Sequence, residues 1–192
     1  MYHVLPTASG GIPHGFWRFN MSTRTDKVTF RGNPITLGGN EVSVGQAAPD
    51  FTVTRPPFDS VKLSDQKGKV VLISVTPSVD TGVCDKQMRE LNKRATDLSS
   101  DVLVWNLSVD LPFALKRYCA AAEISRVEAL SDYKNREFGQ KFGTYMEELG
   151  LLARSVFIVD REGTLVYKQI VPEMTSEPNY DDALNALKGV VG

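Results

Sequence analysis

Hydrophobic residues along this chain alternate between strand-like runs and helix-like spacings. Residues 69–75 (KVVLISV) form a β-branched apolar run without polar alternation, which is typical of a strand covered on both faces. Residues 102–109 (VLVWNLSV) predict a second buried strand. Between the two runs, apolar residues recur at positions 88, 91, 95 and 98, a helical spacing that predicts a helix after Pro77.

Shorter patterns complete the series of elements. They predict a hairpin over residues 28–39 that turns at Asn33-Pro34, a strand at 51–54, a helix after Pro112, a strand at 126–130, a helix containing Phe138 and Phe142, a hairpin over 155–170 and a helix at 181–188. Because strands and helices alternate, the order predicts an α/β fold. We expect a central mixed sheet flanked by helices, with an N-terminal β-hairpin.

Residues 1–26 mix Gly, Pro, His and aromatic residues with no strand or helix period. They lack the basic start and the apolar stretch of about 7–15 residues that a secretory signal needs. We expect a disordered leader here and one domain over residues 27–192. We expect Met21 to be the true start, which would make residues 1–20 a cloning remnant or an overextended reading frame. The alternative is that they form a genuine but mobile extension. In neither case do we place chemistry in them.

Composition and charge narrow the classes of function. The 192 residues correspond to about one domain, at roughly 150 residues per domain. Lys and Arg number 22 and Asp and Glu number 23, so the formal net charge of −1 argues against nucleic-acid binding through a positive field. No run approaches the ~18 consecutive apolar residues of a membrane span.

The cysteine count excludes further classes. Two cysteines, Cys84 and Cys119, are too few for a disulfide-stapled scaffold. They form no Cys-x-x-Cys pair, and together with His3 and His14 they lack the ligand spacing of a zinc site. We therefore expect neither a metal nor a cofactor.

One segment carries candidate chemistry: residues 76–87 (TPSVDTGVCDKQ), at the carboxyl end of a central strand and the start of a helix. In open α/β sheets, ligands bind at this edge. Asp80 or Thr81 can cap the helix and leave the first-turn N–H groups facing Cys84. Their partial positive charge favours the reactive thiolate. The position of Cys84 therefore predicts a nucleophile.

Each residue of this segment also has a purely structural interpretation. A lone cysteine is most often an inert core residue, a lone threonine here is most often a helix cap, and a lone proline ends a strand. Asp85 would oppose a negative charge on the neighbouring sulfur. A nucleophile at Cys84 therefore needs a cation that the adjacent sequence does not obviously provide.

The spacing Pro77-x-x-x-Thr81-x-x-Cys84 is the motif of peroxiredoxins. The strings PSVDTGVC, SVDLPFALKRYC, LSDYKNREFGQKFG and GLLARSVFIVD, with the tail VPEMTSEPNYDDALNALK, resemble the bacterial thiol peroxidases, an atypical two-cysteine subfamily of the peroxiredoxins. The resemblance covers about residues 27–190, and the combination of motifs is highly specific.

The resemblance implies a thioredoxin-like fold and a peroxidase that thioredoxin reduces, for antioxidant defence. Cys84 would be the peroxidatic cysteine, and Cys119 would resolve its sulfenic acid through an intramolecular disulfide. Thr81 would hydrogen-bond the peroxide and the thiolate, Pro77 would shield the site from water, and Arg154 would supply the missing cation. The resemblance also implies a homodimer and a preference for alkyl and lipid hydroperoxides as substrates. We expect the protein to be located in the cytoplasm, because the cycle needs a compartment in which thiols are reduced.

Two details concern the geometry of this site. Thr76 departs from the family, in which an apolar or aromatic residue is expected before Pro-Ser, and would alter the packing beside the pocket. The Cα atoms of Cys84 and Cys119 are expected to lie more than ~7 Å apart in the reduced protein, too far for a disulfide. One or both helix segments would then unwind locally in each turnover.

Three other functions stay open at this point. A thiol–disulfide oxidoreductase is disfavoured by the missing Cys-x-x-Cys pair. A peroxide sensor would oxidise once and pass its oxidation to a partner protein. A scaffold would use both cysteines for packing alone.

Overall fold

Two sheets carry the fold in the computed structural model, which describes residues 22–191. The elements of this part of the chain are β1 (Thr23–Phe30), β2 (Asn33–Gly38), β3 (Thr52–Arg55), β4 (Asp59–Lys62), β5 (Val70–Val75), α1 (Gly82–Arg94), β6 (Val102–Ser108), α2 (Pro112–Ala121), β7 (Glu128–Ser131), α3 (Glu137–Lys141), β8 (Tyr145–Met146), β9 (Leu151–Leu152), β10 (Ser155–Val159), β11 (Leu165–Ile170) and α4 (Tyr180–Val191). Short 3-10 helices at Leu63–Gln66 and Ala95–Asp97 follow β4 and α1.

The larger sheet has seven strands in the order β11-β10-β5-β6-β7-β3-β4. Strands β5, β6 and β7 are parallel, whereas β10 pairs antiparallel with β5 and β3 pairs antiparallel with β7. All six residues of β5 are buried, as its β-branched run predicts. The predicted mixed central sheet is therefore confirmed.

Alternate residues of β5 point to opposite faces of this sheet, and helices cover both faces. Ile73 belongs to a core that includes Phe138 of α3. Leu72 belongs to a second core that includes Met88 of α1, Leu115 of α2 and residues of α4. This arrangement is the α/β fold that the alternation of elements predicted, in the thioredoxin-like form that the resemblance to the peroxiredoxins implied.

The N-terminal hairpin, β1 and β2, is present, but its turn lies earlier than predicted. Arg31 and Gly32 form the turn with φ angles of 51° and 77°, the conformation that two-residue hairpin loops favour. Pro34 lies inside β2, opposite Thr29. The prediction of a turn at Asn33-Pro34 was wrong because the Arg-Gly pair, and not the proline, supplies the positive φ angles.

The first strand also begins earlier than the predicted start at Val28. Thr23 and Arg24 already pair with β2, and the Arg24 guanidinium donates a hydrogen bond of 2.6 Å to the carbonyl of Gly143. The polar sequence TRTDK conceals this strand because a bulge interrupts its alternation. Residues 23–26 therefore belong to the sheet, while residues 1–21 of the predicted leader lie outside the described residues.

Three strands were not predicted: β4 and the two-residue strands β8 and β9. Strand β4 pairs antiparallel with β3, but Val61 is the only one of its four residues that is buried, so its apolar signal is weak. Strands β1, β2, β8 and β9 make up the smaller sheet. Within residues 22–191, no helix is both long enough and apolar enough to span a membrane.

Candidate active site

The loop that follows β5 at Pro77 is held in place by one carboxylate. Asp110 accepts hydrogen bonds of 2.8 Å from the Ser78 hydroxyl, 2.9 Å from the Val79 N–H and 2.8 Å from the Ser108 hydroxyl. Since Ser108 ends β6, these bonds tie the loops after two neighbouring parallel strands together. They set the direction in which α1 leaves the sheet.

Cys84 is the third residue of α1 and is fully buried. Thr81 occupies the N-cap position, as expected, but its side chain does not cap the helix. Its hydroxyl instead donates to the carbonyl of Ser78 at 3.3 Å, because the tight turn brings that acceptor close. The first-turn N–H groups thus receive no acceptor from the Thr81 side chain, and their partial positive charge lies beside Cys84.

Arg154, directly before β10, supplies the cation that the local sequence lacked. Its Nη2 donates to Cys84 Sγ at 3.4 Å, and its Nη1 donates to Gln87 Oε1 at 2.7 Å. Nε and Nη2 both donate to the carbonyl of Met174, at 3.2 and 3.0 Å. The Arg154 side chain is only 2% exposed, so this guanidinium has a fixed place in the protein interior.

The charges around Cys84 favour a negative sulfur. Among residues 22–191, no carboxylate forms an ion pair with Arg154. Glu177, whose pKa is lowered by its hydrogen bond to Lys86 and more weakly by the charge of Arg154, pairs with Lys86. The Asp85 carboxylate, which the sequence suggested would oppose a thiolate, is paired with Arg89 at 2.9 Å. Hydrogen bonds from Arg89 and Tyr118 lower the pKa of Asp85, and Arg89 offsets its charge. The Cys84 sulfur is the ionisable group to which the Arg154 guanidinium donates directly, so a thiolate there would accompany this buried cation.

Gln87 is a buried site residue that the sequence did not reveal. Its Nε2 donates to Ser74 Oγ at 2.8 Å and to the carbonyl of Val75 at 3.3 Å. Ser74 donates in turn to Asn106, and Asn106 donates to Thr76, each at 3.0 Å. Three polar residues at otherwise apolar positions were the sequence feature that could have indicated this network: Ser74 in β5, Asn106 in β6 and Gln87 on the buried face of α1.

The loop that carries Met174 is anchored by Glu173, a second residue that the sequence did not reveal. Its carboxylate accepts hydrogen bonds from the Thr29 hydroxyl at 2.8 Å, the Gly32 N–H at 3.1 Å and the Thr175 hydroxyl at 2.7 Å. These bonds hold its pKa well below the ordinary value. Glu173 thus fastens the N-terminal hairpin to the loop whose carbonyl holds Arg154.

A cavity of about 350 Å³ opens at this place. The predicted site residues Pro77, Thr81 and Arg154 line it together. Apolar side chains from the hairpin, α1, the smaller sheet and the Met174 loop form most of its wall: Phe30, Val83, Met146, Leu149, Leu151 and Met174. Cys84 does not line the cavity, but its sulfur is hydrogen-bonded to Arg154, which does. The cavity therefore joins a polar end, formed by Thr81 and Arg154, to an apolar groove.

Cys119 lies on α2 and does not line this cavity. Its thiol is half-buried, and burial raises its pKa. Cys84 and Cys119 are both free thiols. The adjacent Tyr118 nevertheless connects the two helices, because its hydroxyl donates to Asp85 at 2.9 Å.

Known proteins resemble this chain in sequence and in fold. The Redoxin family model matches residues 43–184. The thiol peroxidase of Bacillus subtilis (strain 168) is 51% identical over 165 residues, 86% of this chain and 98% of that protein. The thiol peroxidase of Staphylococcus haemolyticus (strain JCSC1435) is 50% identical over 164 residues, 85% of this chain and 99% of that protein. A peroxiredoxin-like protein from Aquifex aeolicus superposes with a TM-score of 0.81 at 38% identity, over 88% of this chain and 98% of that one. The chain therefore belongs to the Redoxin family, and within it to the thiol peroxidases, which are peroxiredoxin oxidoreductases.

Proposed function

We propose that this peroxidase reduces hydrogen peroxide and organic hydroperoxides, alkyl and lipid ones included, through Cys84, and that thioredoxin regenerates it. One observation carries the proposal: the buried Arg154 guanidinium donates to the fully buried Cys84 sulfur at 3.4 Å. A buried cation is costly unless an anion accompanies it, and the thiolate is the nucleophilic form of cysteine.

The first step follows from the groups around the sulfur. The Cys84 thiolate attacks the terminal oxygen of the peroxide, the S–O bond forms and the O–O bond breaks. Negative charge develops on the departing oxygen, which takes up from solvent the proton that Cys84 released there on ionisation, and leaves as water or an alcohol. Arg154, the Thr81 hydroxyl and first-turn N–H groups would stabilise that charge. Buried Pro77 would shield the sulfur from water, and Cys84 becomes a sulfenic acid.

The second step requires movement. The Cys119 sulfur attacks the Cys84 sulfenic acid, the disulfide forms, and the sulfenic oxygen leaves as water with the Cys119 proton. Cys119 lies on α2 outside the cavity lining, and burial raises the pKa of its thiol, so its sulfur is not ready to attack Cys84 in place. We infer that one or both helix segments unwind locally. Two thiols of thioredoxin then reduce the disulfide and become oxidised themselves.

The apolar groove supports organic hydroperoxides among the substrates. Hydrogen peroxide needs only the polar end of the cavity, beside Thr81 and Arg154. An alkyl chain attached to the peroxide would extend along the wall that Phe30, Met146 and Leu149 form. Burial of that chain stabilises the complex by about 0.8 kcal/mol for each fully buried CH₂ group.

A homodimer is the second part of the proposal. Phe58 and Phe113 are 57% and 61% exposed and contact each other edge to face, with ring centroids 5.0 Å apart. Leu111, at the start of α2, is 56% exposed. An exposed aromatic and aliphatic patch of this kind is typical of an interface, and a second copy can cover it symmetrically. Phe113→Asp is expected to yield monomers in sedimentation velocity, and a wild-type monomer would refute this part.

A coupled peroxidase assay with thioredoxin, thioredoxin reductase and a hydroperoxide tests the main proposal. We expect steady turnover by the wild type and none by Cys84→Ser. Cys119→Ser should reduce one equivalent of peroxide and then fail to recycle normally. Normal cycling by Cys119→Ser would show that the resolving role is wrong.

The same assay separates the alternative functions. A peroxide sensor would oxidise once and then stop unless its partner protein were present. A scaffold would lose neither thiol when treated with one equivalent of hydroperoxide. We place the protein in the cytoplasm, because thioredoxin-type reduction takes place there and disulfides persist in oxidising compartments.

A further inference from the structure

A chain of buried hydrogen bonds leads from Arg154 into the central sheet and ends at Thr76. Arg154 donates to Gln87 at 2.7 Å, and Gln87 donates to Ser74 at 2.8 Å. Ser74 donates to Asn106 and Asn106 to Thr76, each at 3.0 Å. All five side chains are buried. Every donor in this chain points away from Arg154 and towards Thr76.

We propose that Thr76, acting through this chain, is a positioning residue for the active site. Its hydroxyl oxygen accepts the last N–H of the chain, so that Asn106 and Ser74 can keep the orientation in which Gln87 accepts from the Arg154 guanidinium. The inference rests on the proposed role of Cys84 as the nucleophile.

The direction of the chain is the physical reason. In the observed order, Asn106 presents its carbonyl oxygen to Ser74, so the serine hydroxyl is left free to accept from Gln87. Gln87 must then present Oε1 to Arg154. If the Asn106 amide turned over, its N–H would face the Ser74 oxygen, and the Ser74 hydroxyl would have to donate to Gln87 instead.

Gln87 cannot follow such a reversal without loss. Turning its amide would aim N–H groups at the Arg154 guanidinium, which has only donors, and an oxygen at the carbonyl of Val75. A buried donor without an acceptor is costly, and a hydrogen-bonded chain in a dry interior transmits such a mismatch. The Arg154 guanidinium and the Val75 carbonyl impose the direction of the chain, and the Thr76 hydroxyl completes it as the last acceptor for the Asn106 N–H.

Valine at position 76 would keep the shape of threonine and remove that acceptor. Either Asn106 Nδ2 is then left unpaired in the sheet, or the chain reverses and loosens Arg154 from Cys84. Serine at position 76 keeps the hydroxyl and should preserve the chain. Thr144 offers a matched control: it is buried, and its hydroxyl has no hydrogen-bond partner among residues 22–191.

The experiment measures Cys84 directly, in the full chain with Cys119→Ser so that one thiol remains. The rate of alkylation by iodoacetamide is recorded against pH, together with the ultraviolet absorbance of the thiolate. Thr76→Val is expected to react about three- to tenfold more slowly at neutral pH, with its pH profile displaced upwards. Thr76→Ser and Thr144→Val are expected to match the parent.

A folded Thr76→Val variant with the parent's profile would overturn the proposal, and so would equal slowing in Thr144→Val. If circular dichroism shows that Thr76→Val is unfolded, Ser74→Ala decides, because it interrupts the same chain at its middle. The parent's rate in folded Ser74→Ala would again overturn the proposal. Alkylation needs no peroxide turnover, so an inactive wild type would count against the proposed function and leave this comparison valid.

Discussion

The Tyr118 hydroxyl donates a hydrogen bond of 2.9 Å to the Asp85 carboxylate, and so joins the residue before Cys119 to the residue after Cys84. Arg89 reinforces this contact. It pairs with Asp85 at 2.9 Å and donates to the carbonyl of Ala122, just beyond the end of α2, at 3.2 Å. The two helix segments that must loosen in the proposed cycle are therefore fastened to each other beside the two reacting sulfurs.

Removal of this contact is expected to speed disulfide formation. Tyr118→Phe keeps the ring packing and deletes the bond, which contributes about 1 kcal/mol at such a partly exposed carboxylate. We expect the step from sulfenic acid to disulfide to become about fivefold faster. It can be measured by quenched-flow mass spectrometry after one equivalent of hydroperoxide. Tyr167→Phe, on the edge strand β11, is the matched control, and equal rates in all three proteins would contradict the role of Tyr118.

Local unwinding makes a separate prediction about hydrogen exchange. In the reduced protein, α1 and α2 are intact helices, Gly82–Arg94 and Pro112–Ala121. Formation of the Cys84–Cys119 disulfide should lower the protection of amides in one or both of these helices, while β5 and β6 keep theirs as an internal reference. Equal protection in the reduced and disulfide forms would show that the sulfurs meet without unwinding.

Sequence reasoning reached the part of the site that is contiguous in the chain. Pro77, Thr81 and Cys84 lie in one loop and one helix turn, so local patterns were enough to place them. Arg154 is 70 residues from Cys84 and was found only by resemblance to a family. An arginine at the start of a strand is ordinarily exposed to solvent, and nothing in the local sequence distinguishes that role from a functional one.

The polar chain behind Arg154 could not be predicted, because it depends on register. Ser74 and Asn106 lie directly opposite each other in the parallel pair β5 and β6. Each looks like a minor interruption of an apolar run when its own strand is considered alone. The hairpin turn at Arg31-Gly32 was mispredicted for a related reason. Local propensity favoured a turn at Pro34, whereas the register of pairing between β1 and β2 places the turn at Arg31-Gly32.

Asp132 predicts a pH dependence of stability. Its buried carboxylate accepts N–H bonds of 3.1 and 2.9 Å from Phe138 and Gly139 in α3. Burial nevertheless raises its pKa from 3.8 to about 6. Between roughly pH 4 and 6 the native state therefore binds more protons than the unfolded state, so this group makes the protein less stable as pH rises through that window.

Urea unfolding at several pH values tests this effect. Asp132→Asn should remove the decline, which amounts to at most about 3 kcal/mol across the window. The matched control is Asp101→Asn, an exposed carboxylate whose pKa Lys69 lowers, so its own titration falls below the window. A decline of the same size in Asp132→Asn and wild type would assign it to another group.

The apolar groove predicts which peroxides the enzyme distinguishes. Leu149 lines the cavity and is 41% exposed, so it lies at the rim, where an organic substituent would pass but hydrogen peroxide would not reach. Leu149→Ser is expected to lower kcat/KM for cumene hydroperoxide about three- to tenfold and to leave that for hydrogen peroxide unchanged. Val44→Ser, an exposed apolar residue outside the cavity lining, controls for a general loss of surface hydrophobicity. An equal loss on both peroxides would mean that Leu149 supports the fold of the site and makes no contact with the substrate.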